Sequence, residues 1–206
     1  AIAKRDNDTD AHNYRVTLLS VRLAEALGLE PRDIQSLIKG AFLHDVGKIG
    51  IRDSILLKPD HLTEEEFQVM KTHVQHGKDI CERSAWLQDA VDVVGHHHEK
   101  YDGSGYGEGL DGAEIPVRAR IFSIADVFDA LTSKRPYKEA FCLEETVEIL
   151  KKGRGIHFDP ALLDRFLEMA PALYEELSGR EDEGLREEVD GITQRYFSQD
   201  TEVHFD

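Results

Sequence analysis

Cysteine is scarce in this sequence of 206 residues, and so are long apolar runs. The two cysteines, Cys81 and Cys142, match no metal-binding or redox spacing, so we interpret them as reduced thiols. No stretch approaches the roughly 20 apolar residues of a membrane-spanning helix, and the N-terminus lacks the pattern of a signal peptide. These absences predict a cytoplasmic protein without a disulfide framework.

Basic residues are also few compared with acidic ones. The chain has 25 Lys and Arg against 41 Asp and Glu, and its formal net charge is −16 at pH 7. A protein that wraps a long nucleic acid needs Lys and Arg to neutralise phosphates, so this composition argues against that class. A phosphate-bearing ligand would have to meet a few placed basic side chains or metal ions. The ten histidines are the unusual feature of the composition.

Helical periodicity dominates the first part of the chain. A first helix is predicted by an apolar stripe at Val16, Leu19, Leu23, Ala26 and Leu27. Gly28 is expected to end this helix, and Pro31 to begin a second one. The second helix delivers His44 and Asp45 at its last turn, where its apolar face ends.

Three further helices are predicted after this point. The residues Thr63 to Glu66 have the spacing of a capping box and should begin a third helix. Its core-facing residues are expected to be Phe67, Met70 and Val74, with His73 beside them. A fourth helix should carry Leu87, Val91, Val94 and His98. A strongly apolar helix from Val117 to Leu131 carries two acids, Asp126 and Asp129, within its run.

Glycine interrupts the pattern between residues 101 and 112, where it occupies positions 103, 105, 107, 109 and 112. Such a segment cannot be a regular element, so we predict a loop with functional potential. Alternating strand patterns are absent from the sequence. The fold class is therefore predicted to be all-α, a bundle of helices with a glycine-rich loop.

The composition shifts after Tyr174. Residues 175–206 contain 11 acidic residues and three Arg, which gives them a charge of −8, half of the total. We therefore predict one catalytic domain at residues 1–174 and an acidic C-terminal extension at residues 175–206. The extension could be a solvated helix, a segment that docks a partner, or disordered.

Five features place metal-binding side chains at helix ends or on apolar helix faces. They are His12, the pair His44 and Asp45, His73, the run His96 to His98, and Asp126. Each one alone would more often be a buried histidine or an ion-paired acid. Together they favour a metal site, because ionisable groups are rarely buried without a partner and imidazole with carboxylate suits Fe, Mn or Zn.

Several runs resemble a known family. HDVGKIG at residues 44–50 resembles the signature of the HD superfamily of metal-dependent phosphohydrolases, and HHE at residues 97–99 with DGSGY at residues 102–106 resembles its HD-GYP branch. The resemblance continues through IADVFDALTS at residues 124–133 and RPYK at residues 135–138, and covers residues 6–170. It implies a compact, all-helical, cytoplasmic domain that cleaves bacterial cyclic di-GMP to pGpG or GMP in signal transduction. Such domains are usually attached to a sensor or receiver domain.

The resemblance also assigns roles to individual residues. The implied metal ligands are Asp8, His12, His44, Asp45, His73, His97, His98 and Asp126. They imply two or three divalent ions, Fe first and Mn next, with Asp45 as the bridge between ions. Asp8 stands where some members have a longer Glu that holds a third ion. Independently of the resemblance, Lys48 lies three residues after Asp45 and could reach the same centre. There it would join Asp45 in catalysis, by stabilising charge on the phosphate or by protonating the leaving oxygen, unless it is simply a solvated loop lysine.

The resemblance places the substrate contacts later in the chain. Arg135 and Lys138 match basic residues that contact phosphate, and Tyr106 would lie in the nucleotide pocket. His96 has no ligand role in the pattern, and His76 is expected to serve packing or to face solvent.

One position departs from the family pattern. The motif normally ends in Pro, but this chain has Gly107 there. Glycine frees φ and adds an N–H donor, so we expect a more mobile loop and a less preorganised pocket. The substrate could then include a mixed cyclic GMP-AMP as well as cyclic di-GMP.

Two alternatives to this enzyme remain at the level of sequence. The domain could sense a cyclic dinucleotide or dock partners without catalysis, although the complete ligand set argues against this. It could also be an HD-type phosphohydrolase that acts on mononucleotides. The sequence leaves open the oligomeric state, including a homodimer.

Overall fold

The helix boundaries follow local signals in the sequence. The computed structural model describes residues 10–134 and 139–198. Their α-helices are α1 (Asp10–Ala26), α2 (Pro31–Leu43), α3 (Asp53–Leu56), α4 (Glu64–Lys71), α5 (His73–Glu82), α6 (Val91–His96), α7 (Val117–Thr132), α8 (Leu143–Lys152), α9 (Pro160–Leu177) and α10 (Glu183–Phe197). Three short 3₁₀ helices lie at Val46–Gly50, Gln88–Ala90 and Gly112–Glu114. These residues contain no β-strand, which confirms the all-α prediction.

The predicted ends of the first helices are confirmed. Gly28 follows α1 with φ +71°, a left-handed conformation that favours glycine, and Pro31 occupies the first turn of α2. Thr63 caps α4 through its side chain, which accepts from the amide of Glu66, while the Glu66 carboxylate accepts from the amide of Thr63. This is the predicted capping box.

The predicted burial of Phe67 is wrong. Its side chain is 39% exposed, whereas Val74 is only 4% exposed. The reason is a break in the helix at Thr72, which ends α4 and places His73 at the start of α5. An apolar stripe counted through this break at one helical period therefore does not assign the buried face of α4 correctly.

The main core forms where α7 packs against its neighbours. Helix α7 contacts α1, α2, α6, α8 and α9. The largest fully buried side chains of this core include Phe122 and Phe128 on α7, Leu37 on α2, and Leu163 and Phe166 on α9. Because α1 and α7 also carry His12 and Asp126, and His44 directly follows α2, the packing of the core brings candidate ligands together.

The acidic C-terminal segment is mostly helical in its described part, which holds the end of α9 and all of α10. Helix α9 continues to Leu177, so the expected boundary between residues 174 and 175 falls inside a helix. Helix α10 packs on α1 and α2, and it buries Leu185, Val189 and Ile192 in the main core. Its charged residues lie on the opposite face, which explains how a strongly acidic segment can still join the fold.

Among the residues described, no helix combines the length and the apolar character needed to cross a bilayer.

The core packing predicts a matched pair of stability effects. Leu163 is fully buried, so Leu163→Ala should lower the free energy of unfolding by about 2–5 kcal/mol because it leaves a cavity. Leu57 is 54% exposed, and Leu57→Ala should change the same quantity by no more than about 0.5 kcal/mol. Urea unfolding followed by circular dichroism measures both, and equal effects would contradict the packing described.

Candidate metal centre

The sharp turn after α2 places Asp45 against α5. His44 caps the helix, and the 3₁₀ helix Val46–Gly50 begins directly after Asp45. Gly47 lies so close to α5 that a Cβ there would stand 1.8 Å from the carbonyl oxygen of His73 and 2.5 Å from the amide nitrogen of Gly77. Only glycine permits this approach, which brings Asp45 and His73 together.

Three histidines converge on the carboxylate of Asp45. His44, His73 and His97 are each no more than 4% exposed. Their Nε2 atoms lie 3.1, 3.5 and 4.0 Å from the nearest Asp45 oxygen, in that order. His98 joins them: one ligand atom from each of Asp45, His73, His97 and His98 can be chosen so that all four lie within 4.8 Å of one another.

The backbone orients these imidazoles. The Nδ1 atoms of His44, His73 and His97 lie 2.8, 2.7 and 3.1 Å from the carbonyl oxygens of Ala41, Met70 and Val94, respectively. A carbonyl only accepts, so each Nδ1 carries the proton and, in the neutral ring, Nε2 offers a lone pair. The buried Nε2 atoms of His73 and His97 have no hydrogen-bond partner among the described residues. Unpartnered imidazole nitrogens that face a carboxylate are suited to bind a divalent first-row metal ion together with it.

Electrostatics separates His44 from the other imidazoles. Burial opposes its charged form, but the negative charges of Asp45 and Asp126 outweigh burial and raise the pKa of His44 to about 9. Burial together with neighbouring histidines lowers the pKa of His98 to about 3 and holds the pKa of His97 well below its usual value. Neutral rings are the form that binds metal, so His97 and His98 are ready ligands at neutral pH.

His12 and Asp126 also line the site. His12 on α1 is 5% exposed, and its Nε2 lies 3.6 Å from the carboxylate of Asp126 on α7. The cavity at this site has a volume of about 200 Å³. It is lined by His12, His44, Asp45, Lys48, His97, His98 and Asp126.

Lys48 places positive charge at the same cavity. Its Nζ lies 2.8 Å from Asp45 Oδ2, and its side chain is largely shielded from solvent. Burial favours the neutral acid, but His44 and Lys48 hold the pKa of Asp45 well below its usual range. Asp45 is therefore a carboxylate at neutral pH.

Asp129 supports His12, and no role was predicted for it from the sequence. Its buried carboxylate accepts a hydrogen bond from His12 Nδ1 at 2.7 Å, from Arg15 Nε at 2.5 Å and from the Ser133 hydroxyl at 3.2 Å. These partners fix the ring so that Nε2 faces Asp126. The available signal was an acid inside a strongly apolar helix, but its partner lies 117 residues away in sequence.

Tyr106 lies against one of the candidate metal ligands. Its ring stacks on His98 with centroids 4.5 Å apart and 23° between the planes. The edge-on contact with Phe67 at 6.1 Å covers it from another side. Burial, with the charge of Asp45, raises the pKa of its hydroxyl, so Tyr106 remains protonated.

The remaining predicted residues lie elsewhere. Asp8, Arg135 and Lys138 lie outside the described residues. The Nδ1 of His96 bonds the carbonyl oxygen of Asp92, and its Nε2 lies 3.6 Å from Glu108 instead of facing Asp45. His76 lies beside the Thr72 hydroxyl.

Comparison with known proteins agrees with this geometry. The family model described as "HD domain" matches residues 1–162. The chain is 45% identical over 169 residues to the cyclic di-GMP phosphodiesterase response regulator RpfG of Xanthomonas campestris, a match that covers 81% of this chain and 45% of that protein. It is 44% identical over 170 residues to the 3'3'-cGAMP-specific phosphodiesterase 2 of Vibrio cholerae, which covers 82% of this chain and 33% of that protein. The chain thus spans less than half the length of these relatives.

A solved structure shows the same fold. The Bd1817 HDG"Y"P protein from Bdellovibrio bacteriovorus aligns with a TM-score of 0.61 and 22% identity, over 80% of this chain and 54% of that one. The long family match, the identity to the two phosphodiesterases and the arrangement of histidines around Asp45 agree with one another. The chain belongs to the HD domain family, in its HD-GYP branch.

Proposed function

We propose that this chain hydrolyses the phosphodiester bonds of a cyclic dinucleotide, with cyclic di-GMP as the leading substrate. The observation that carries the proposal is the cluster of imidazoles at Asp45, which come from the residue after α2, from α5 and from the turn after α6. Asp45 also lines the cavity that His12 and Asp126 border. The names of the relatives support the substrate class, since they include phosphodiesterases for cyclic di-GMP and for 3'3'-cGAMP. Either dinucleotide is therefore a candidate substrate, and the product would be pGpG, GMP or both.

The proposed cofactors are two or three divalent ions, Fe first and Mn next. Asp45, His44, His73, His97, His98, His12 and Asp126 would hold them. When bound, such ions supply a water nucleophile at neutral pH and stabilise negative charge on the phosphate oxygens. Asp8 would contribute to a third ion.

The chain's own groups would orient the reaction. Asp45 lies centrally among the imidazoles and would bridge the ions. Lys48 donates to Asp45 and also lines the cavity, so it can meet negative charge that develops on phosphate or protonate the leaving oxygen. Arg135 and Lys138 would bind the phosphates of the substrate, with Tyr106 at the nucleotide pocket.

The size of the relatives supports an attached regulatory domain. The matched part is 45% of the RpfG protein, whose name calls it a response regulator. We propose that a sensor or receiver domain accompanies this domain in the full-length protein and controls its activity.

The proposal predicts turnover that depends on Asp45. Chain loaded anaerobically with Fe(II) or Mn(II) should convert cyclic di-GMP to pGpG or GMP, as measured by chromatography of the products. Asp45→Ala should abolish the reaction because it removes the central carboxylate. Asp164→Ala, at an exposed acid that pairs with Arg154, is the control and should retain activity. A fully metallated wild-type chain that hydrolyses no cyclic dinucleotide would refute the proposal.

The substrate class is tested by a competing panel. The same metallated chain should hydrolyse cyclic di-GMP or 3'3'-cGAMP in preference to AMP and dGTP. Preference for a mononucleotide would instead favour the phosphohydrolase alternative, and binding without turnover would favour the sensor alternative.

Asp129 should affect metal binding through His12. Asp129→Asn weakens the acceptor that fixes the His12 ring, and loss of such support typically lowers metal affinity by about 10–100-fold. Competition with a metal chelator measures the affinity, and circular dichroism reports whether the variant folds. Asp164→Asn is the matched control, and equal affinities for a folded Asp129→Asn and wild type would contradict the supporting role.

A further inference from the structure

The glycine-rich loop lies directly on the backbone that follows the His97-His98 pair. The amide of Tyr106 donates to the carbonyl oxygen of His98 at 3.1 Å. A Cβ at Gly105 would stand 2.4 Å from the amide nitrogen of Lys100 and 2.5 Å from the His98 oxygen. The loop therefore has no room for a side chain at this contact.

Glu99 is the second attachment of the loop. Its side chain is 2% exposed, and its Oε1 accepts hydrogen bonds from the amides of Glu108 at 2.6 Å and Gly109 at 2.8 Å. No cation pairs with Glu99 among the described residues, and its buried Oε2 has no partner there. Burying a carboxylate lowers the stability of the folded state unless hydrogen bonds or a positive charge replace its lost hydration. Here the two backbone amides are its stabilising contacts.

Gly107 makes this geometry accessible. Its φ is +139°, which proline, restricted to about −65°, cannot adopt. A Cβ at Gly107 would also lie 2.9 Å from Glu99 Oε1 and 3.0 Å from the carbonyl oxygen of Gly95. The glycine found where the family usually has proline therefore lets the next two amides face the carboxylate.

The loop also carries Tyr106, whose ring stacks on His98. Two backbone attachments flank this residue: its own amide on one side and the Glu99 contacts at residues 108 and 109 on the other. A shift of the loop would move the Tyr106 ring relative to the imidazole, because the chain between the attachments is only a few residues long.

We infer that Glu99 is a positioning residue that acts through the backbone of residues 105–109. It holds the loop against the metal centre and keeps Tyr106 stacked on His98. Gly107 is required for this arrangement in place of the family's proline. The catalytic consequence rests on the proposed function, whereas the positioning itself can be measured without any substrate.

Hydrogen exchange of the metal-loaded full chain tests the positioning. Glu99→Ala should speed amide exchange in the peptide that covers residues 105–109 by at least about tenfold, because hydrogen bonds to a charged acceptor are lost. Glu99→Gln keeps an oxygen acceptor and should restore part of the protection. The control Glu108→Ala removes the side-chain ion pair to Lys78 but keeps the backbone amide, and should change exchange by less than about fivefold. Unchanged exchange in a folded Glu99→Ala would overturn the inference.

Gly107→Pro provides a second test with an opposite expectation. If the glycine only loosens the loop, the family's proline should slow exchange and improve turnover. The inferred geometry predicts faster exchange and a raised KM, because proline cannot reach the φ that Glu99 requires. Slower exchange in this variant would overturn the inference, and the test remains available if Glu99→Ala does not fold.

A double-mutant cycle measured on kcat/KM tests whether Glu99 affects the reaction through Tyr106. Glu99→Ala should lower kcat/KM in the wild-type background but have little further effect in a Tyr106→Ala background, because both changes remove the same stacked ring. Additive effects would show that Glu99 does not act through Tyr106. An inactive wild type whose loop is protected as expected would refute the proposed function and leave the positioning intact.

Discussion

A carboxylate taken out of water needs compensating positive charge or hydrogen bonds, and Asp45 imposes this requirement on the centre of the molecule. His44 and Lys48 meet part of it directly at Oδ2, while His73 and His97 direct their unprotonated nitrogens towards the other oxygen, Oδ1. The other groups around Asp45 are arranged in keeping with this requirement. A divalent cation would satisfy both the carboxylate and the orphaned imidazoles, so the protein without such an ion contains an unbalanced group of buried polar atoms.

The sequence predicted the parts of the site that depend on local signals. Helix α2 ends where its apolar stripe ends, and this places His44 and Asp45 at its C-terminus. The capping box at Thr63 also has a local cause. Phe67 was assigned to the core because its position continued a stripe that Thr72 interrupts, and periodicity alone does not show that the helix breaks there.

Long-range partners were harder to predict. Periodicity assigns Asp129 to an apolar helix but does not show that His12 and Arg15, from the other end of the domain, surround it. Glu99 belongs to a recognised run, yet its use depends on the path of a loop that contains several glycines. From the sequence, glycine at position 107 in place of the family's proline predicted a more mobile loop. In the structure, the loop is held by hydrogen bonds to Glu99 and His98, a different source of order from a proline ring.

Arg15 also bonds the carbonyl oxygen of Arg180, which lies between α9 and α10. The side chain that steadies Asp129, and through it His12, is thus itself anchored by a residue 165 positions later in the chain. Helix α1 acquires this anchor only when the segment between α9 and α10 packs against it. The order of the His12 side of the centre therefore depends on a segment near the far end of the described chain, which contributes no candidate ligand of its own.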